Sequence, residues 1–176
     1  TLNPRMVCRL EASWCHKMWD AAAGSDGCIY FCGEVARQGN GGGLGWWDPK
    51  AGKSGALDWK EFVGHKLLNM CRAQGGDRLV MSSNTTIDNL TGKTPATAKV
   101  FVFDVQTRRI AASYEPVPNA AMLGPMIEVS PGKLMGVAAG GSYGDEDRND
   151  VLYGLDLAGG NVTFRLTAPA FFCCFS

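Results

Sequence analysis

The chain has 176 residues, 45% of them hydrophobic, and its 17 Lys and Arg are matched by 17 Asp and Glu. That much apolar material supports a sizeable globular core and excludes a disordered chain. Balanced charge leaves no basic excess to hold a phosphate backbone, so nucleic acid is not an expected partner, and no apolar run approaches the roughly eighteen residues of a membrane-spanning helix.

Residues 1–15 open on Thr1-Leu2-Asn3-Pro4-Arg5, which has neither an initiator Met nor the pattern of a signal peptide. They are expected to supply an outer strand of a preceding unit. From there the chain divides into three units, 16–63, 64–119 and 120–169. In the first, short apolar runs bounded by Gly, Asp and Pro predict strands over 18–22, 28–32, 43–48 and 54–59. The second repeats this over 67–73, 78–83, 99–104 and 109–114, and the third over 126–129, 133–138, 151–156 and 161–166. Helical periodicity is poor throughout, and 23 glycines and 8 prolines punctuate the chain at strand spacing. Residues 170–176 form an apolar tail, which would promote aggregation if exposed.

The units share two phrases. A Gly- and Asp-containing turn leads into an apolar strand, as in Asp26-Gly27-Cys28-Ile29-Tyr30-Phe31 and Gly76-Asp77-Arg78-Leu79-Val80. Later an aspartate closes a hairpin, as in Trp47-Asp48-Pro49-Lys50, Phe103-Asp104-Val105-Gln106 and Leu155-Asp156-Leu157-Ala158. Asp48, Asp104 and Asp156 recur about every 50 to 56 residues, a spacing in the range of propeller blades. The expected fold is all-β, a segment of about three four-stranded antiparallel blades. Rings typically hold four or more blades, so the segment is expected to belong to a larger propeller and to leave an apolar blade face uncovered. Its missing neighbours would come from a longer chain, or from self-association into a six-blade ring.

The phrases Asp26-Gly27-Cys28-Ile29-Tyr30-Phe31 and Gly45-Trp46-Trp47-Asp48-Pro49-Lys50-Ala51-Gly52-Lys53 resemble those of bacterial β-propeller repeat proteins with streptogramin-lyase-like, gluconolactonase-like, YVTN or quinoprotein-like blades. The resemblance covers roughly residues 16 to 169 and concerns architecture, because the matching residues are hairpin and core positions. It departs from WD-repeat proteins, since Trp47-Asp48 and Gly64-His65 each occur once. The tryptophan-docking phrase of quinoproteins is missing.

Both histidines precede a first strand, in His16-Lys17 and His65-Lys66, while the third unit has Ala120 or Ala121 at that place. His16, Lys17, His65 and Lys66 are therefore the candidate ligand-binding residues. His16 and His65 are also candidate ligands for a divalent metal, although three-histidine coordination is not available. Similarity to propeller oligogalacturonate lyases, which hold a metal through histidines near the axis, implies an enzymatic alternative, a lyase or lactonase. Asp145, Asp147 and Asn149 have the alternating spacing of calcium ligands, but Asp150 stands where such a loop needs Gly, so solvated loop charge is the favoured reading. Gly39-Asn40-Gly41-Gly42-Gly43 reads as a flexible connector. Trp46 and Trp47 alternate faces and read as core, as do Cys28 and Cys32. No catalytic residue is assigned, and no cofactor is favoured. The expected function is a ligand- or protein-binding scaffold within a larger bacterial protein, its ligand a small molecule, a carbohydrate or a protein. Both an exported and a cytoplasmic location remain open.

Overall fold

The computed structural model describes residue 6 and residues 15–34, 41–86, 91–139 and 149–169. Twelve strands run in chain order: β1 (Lys17–Ala23), β2 (Ile29–Glu34), β3 (Gly42–Asp48), β4 (Lys53–Ala56), β5 (His65–Ala73), β6 (Arg78–Thr85), β7 (Val100–Asp104), β8 (Arg109–Tyr114), β9 (Met122–Ser130), β10 (Lys133–Ala139), β11 (Asn149–Asp156) and β12 (Asn161–Pro169). Each group of four is an antiparallel meander. A bridge between Asn84 of β6 and Met122 of β9 joins the second and third meanders, where β6 runs on past the end of β7.

The recurring aspartates explain the hairpins. Asp48 accepts hydrogen bonds from the Lys50 and Ala51 N–H groups, both at 2.9 Å, Asp104 from Thr107 N–H at 2.7 Å, and Asp156 from Ala158 N–H at 3.0 Å. A short carboxylate that caps its own turn is what makes Asp favoured there. Four residues after each aspartate the backbone turns left-handed, at Gly52 (φ 64°), Arg108 (φ 53°) and Gly160 (φ 67°). Glycine adopts that conformation freely, whereas an L side chain there costs roughly 1–2 kcal/mol. Arg108 is held there by what its guanidinium reaches. Its Nη2 lies 3.4 Å from Asp26 Oδ2 in the first sheet, and the group sits 5.0 Å from the Trp46 ring centroid. Asp26 also accepts from Cys28 N–H at 3.0 Å and from the Tyr30 hydroxyl at 2.8 Å.

The sheets stack face to face. Between the first and second lies a cluster including Tyr30, Cys32, Leu44, Leu79 and Phe103. Between the second and third lies another, including Val80, Val102, Leu134, Tyr153 and Leu155. First strands adjoin one another, β1 packing on β5 and β5 on β9. Carboxylates tie them laterally: Met70 N–H donates to Asp20 at 2.8 Å and Gln74 N–H to Glu128 at 2.9 Å.

Three details depart from expectation. The fourth strand of the first unit ends at Ala56 rather than at residue 59, because Asp58 accepts from Lys60 N–H and caps a 3-10 turn over Trp59–Phe62. The third unit's first strand begins at Met122, four residues earlier than the apolar run predicted, since Met122 finds partners in both Ala139 and Asn84. The glycine run is only partly a connector. Gly41, Gly42 and Gly43 are buried, and a Cβ would lie 2.0 Å from Phe62 O at Gly41 and 2.6 Å from Leu67 Cγ at Gly42, so the backbone packs where no side chain fits.

Cys28 and Cys32 are buried, and burial raises the Cys28 thiol to about 11, which makes it an inert core group. Trp46 and Trp47 do point to opposite faces. Trp46 meets Tyr30 at 6.3 Å between centroids, while Trp47 lies on the face of the first sheet turned away from the second.

Candidate functional site

The strand register places the two His-Lys dipeptides. Lys17 opens β1 opposite Glu34, the last residue of β2, and Lys66, second in β5, lies opposite Asn84 near the end of β6. Equivalent positions in the first two sheets thus hold Lys-Glu and Lys-Asn. Asn84 cannot neutralise an ammonium, and Lys66 reaches across to the first sheet instead. Its Nζ lies 2.7 Å from Glu34 Oε2, while Lys17 Nζ lies 2.8 Å from Oε1. One carboxylate is clamped between two ammonium groups.

The Glu34 side chain is only 10% exposed, against 61% for Lys17 and 39% for Lys66. Burial by itself would raise its pKa, but the hydrogen bonds and charges of both lysines outweigh this and hold the carboxyl below its usual range. The Glu34 carbonyl also accepts the His16 N–H at 2.7 Å, which fixes the backbone of an exposed His16 beside the clamp. The cluster carries two positive charges and one negative, and the free edges of both lysines face solvent.

His65 has a different setting. It is 5% exposed, and its ring packs edge-on against Phe101 of its own sheet at 5.5 Å between centroids. The buried Ser83 hydroxyl donates to the Lys99 carbonyl and accepts from the Lys99 N–H, both at 2.9 Å. Its one proton is therefore spent, and the 3.3 Å contact with His65 is an imidazole Nδ1–H donating to Ser83 Oγ. That leaves Nε2 as the bare nitrogen. Burial, with the nearby Lys99 charge added, lowers the imidazole to about 4, so it is neutral at pH 7. The lysines of the two dipeptides converge on one carboxylate, while the imidazoles occupy unlike environments, one exposed and one in the core.

In the third unit, Ala120 is buried and Ala121 exposed, its carbonyl accepting Thr85 N–H at 2.8 Å. No group of three or more His, Cys, Asp or Glu side chains with metal-binding geometry occurs among the described residues. Asp145 and Asp147 lie outside them. Asn149 is the first residue of β11, opposite Pro169, rather than a loop position. A cleft of about 320 Å3 opens between the outer strands of the second and third sheets, lined by Lys99, Ser113, Tyr114, Glu115 and Val162. Lys99 and Glu115 pair on its second-sheet wall at 3.6 Å, and the Tyr114 hydroxyl donates to Leu157 O at 3.1 Å.

Glu34 was not picked out from the sequence. The available signal was its position: a carboxylate closing the apolar run Cys28 to Cys32, in hairpin register with Lys17.

No protein-family model and no curated protein sequence matches the chain. Solved structures do. A chain of the mitotic checkpoint complex matches with a TM-score of 0.56 at 10% identity, over 90% of this chain and 39% of that one. The acylaminoacyl peptidase of Pyrococcus horikoshii matches at 0.55 and 11% identity, over 88% and 25%. TolB of Acinetobacter baumannii matches at 0.50 and 12% identity, over 85% and 32%. The chain thus spans well under half the length of each. At such identities the likeness concerns fold alone, and with the stacked meanders it makes this chain an all-β propeller segment of four-stranded blades.

Proposed function

We propose that the chain is a binding scaffold whose ligand surface is the rim where the first strands begin, formed by His16, Lys17 and Lys66 around Glu34. The observation that carries this reading is the convergence of Lys17 and Lys66 on one buried carboxylate. Glu34 uses its two oxygens on two lysines, so the site keeps one net positive charge and several unspent N–H donors at a fixed spacing. Such a group suits a carboxylate-bearing ligand, whether an acidic peptide or a uronate-containing carbohydrate. His65 serves it from below by packing the start of β5. The turn phrases keep alive a relation to streptogramin-lyase-like or gluconolactonase-like propellers. A lyase or lactonase site shared by His16 and His65 has weaker support, because His65 spends Nδ1 on Ser83 and buries its ring on Phe101.

Titration calorimetry with oligogalacturonate and with a poly-glutamate peptide tests the reading. Saturable binding of at least one probe, weakened about tenfold or more by Lys17→Ala with Lys66→Ala and by raised salt, is expected. No heat with either probe, or equal binding by the double variant, would remove the rim as the ligand surface. Metal-dependent turnover of uronate or lactone substrates, lost in His16→Ala, would favour the enzyme instead.

A further inference from the structure

Each sheet has two faces of distinct kind, and the residue pair beside the hairpin aspartate identifies them. The residue opposite the one preceding that aspartate is Ile29 (opposite Trp47) in the first sheet, Leu79 (opposite Phe103) in the second and Leu134 (opposite Leu155) in the third. The next pair along, on the other face, is Tyr30 with Trp46, Val80 with Val102, and Met135 with Gly154. Inside the chain the two kinds meet twice. The Tyr30 face of the first sheet packs on the Leu79 face of the second, with Tyr30 and Phe103 ring centroids 5.3 Å apart, and the Val80 face of the second packs on the Leu134 face of the third.

Among the described residues, one face of each kind is left over. On the third sheet, Met135 shares a face with Ile127, Gly154 and Phe164, and Val137 with Leu152 and Leu166. Ile127 is 56% exposed, Phe164 38% and Leu166 59%. On the first sheet, Ile29 (39% exposed) shares a face with Trp47 and Ala23, beside Phe31 and Ala21. Both are contiguous apolar surfaces, of a kind that soluble monomers seldom leave open.

We propose that these two faces bind each other between two copies of this chain, head to tail, so that the Met135 face of one copy covers the Ile29 face of the other. The contact would be the third instance of the one that already occurs twice within the chain. Met135, the counterpart of Tyr30, would then oppose Trp47 as Tyr30 opposes Phe103, with the Phe164 ring lying over the neighbouring Gly154. Such a contact is heterologous, and it stays finite only if the rotation closes. Two copies of the three described sheets supply six, within the roughly four to eight of closed propellers. This inference does not depend on the ligand rim.

Sedimentation equilibrium from about 1 to about 100 μM tests it. The wild-type chain is expected at twice its 18.8 kDa mass. Leu166→Glu alone and Ile29→Glu alone should each be monomeric, and their equimolar mixture should regain dimers through the one undamaged pair of faces. Ala21→Glu, at an exposed position of the same face as Phe31, replaces Ile29→Glu if that variant unfolds. A wild-type monomer throughout overturns the proposal. So does a dimer that survives either substitution alone, since that contact would join like faces, and so does a ladder of masses growing with concentration, since the ring would not have closed.

Discussion

Lowering the pH from 7 to 5 should destabilise the chain through His65. In the folded state burial and the Lys99 charge hold its imidazole neutral down to about 4, against 6.5 for the free group. The depressed value means that the unfolded chain binds the proton first, so stability rises with pH across this window. The contribution is complete above pH 6.5 and is lost as pH falls toward 4. The whole shift corresponds to about 3 kcal/mol, and the part between pH 7 and 5 to about 2 kcal/mol. With the residue only 5% exposed, solvent screens little of this. Carboxyl groups held low, among them Asp26, Glu34, Asp104 and Asp156, add their own acid loss, but mainly below pH 5. Urea unfolding followed by tryptophan fluorescence, at pH 7, 6 and 5 and one fixed protein concentration, isolates the effect when wild type is compared with His65→Gln. The variant starts less stable, having lost the ring packing on Phe101, but should lose about 2 kcal/mol less on acidification. Equal losses in the two proteins would refute the buried neutral imidazole.

The Tyr153 hydroxyl is buried without a hydrogen-bond partner among the described residues. Tyr153→Phe should therefore be neutral or stabilising by up to about 1 kcal/mol in the same assay, and a comparable loss would mean that the hydroxyl is bonded. Asp26→Ala removes the acceptor of Cys28 N–H, the Tyr30 hydroxyl and the Arg108 guanidinium together and should cost about 2 to 3 kcal/mol. Arg108→Gly should cost less, because relief of the left-handed backbone returns about 1 kcal/mol. A double-mutant cycle between the two should show coupling, and strict additivity would contradict the tie between sheets.

Local chemistry wrote most of the architecture into the sequence. An aspartate that caps its own turn two or three residues on, a left-handed residue just after it and alternation of apolar side chains are all decided within a few residues. Asp48, Asp104 and Asp156 could thus be read as hairpins, and the strands around them followed. The same locality explains the misplaced ends: Asp58 begins a 3-10 turn where apolar pattern alone ran the strand on to Trp59, and Met122 became strand through partners in two other strands. The site was beyond such reading. His16-Lys17 and His65-Lys66 are the same dipeptide at matching places, yet one imidazole is exposed and the other is buried on Phe101 and Ser83. Pattern gave no reason to separate them, because the difference arises from what the neighbouring strands bring up. Glu34 became the centre of the lysine pair only when the first sheet was laid on the second, and Asp26 meets Arg108 across 82 residues of chain. Hairpins are chosen by residues that are neighbours in sequence, whereas burial, charge pairing and a shifted imidazole depend on the stacking of sheets, which no single unit encodes.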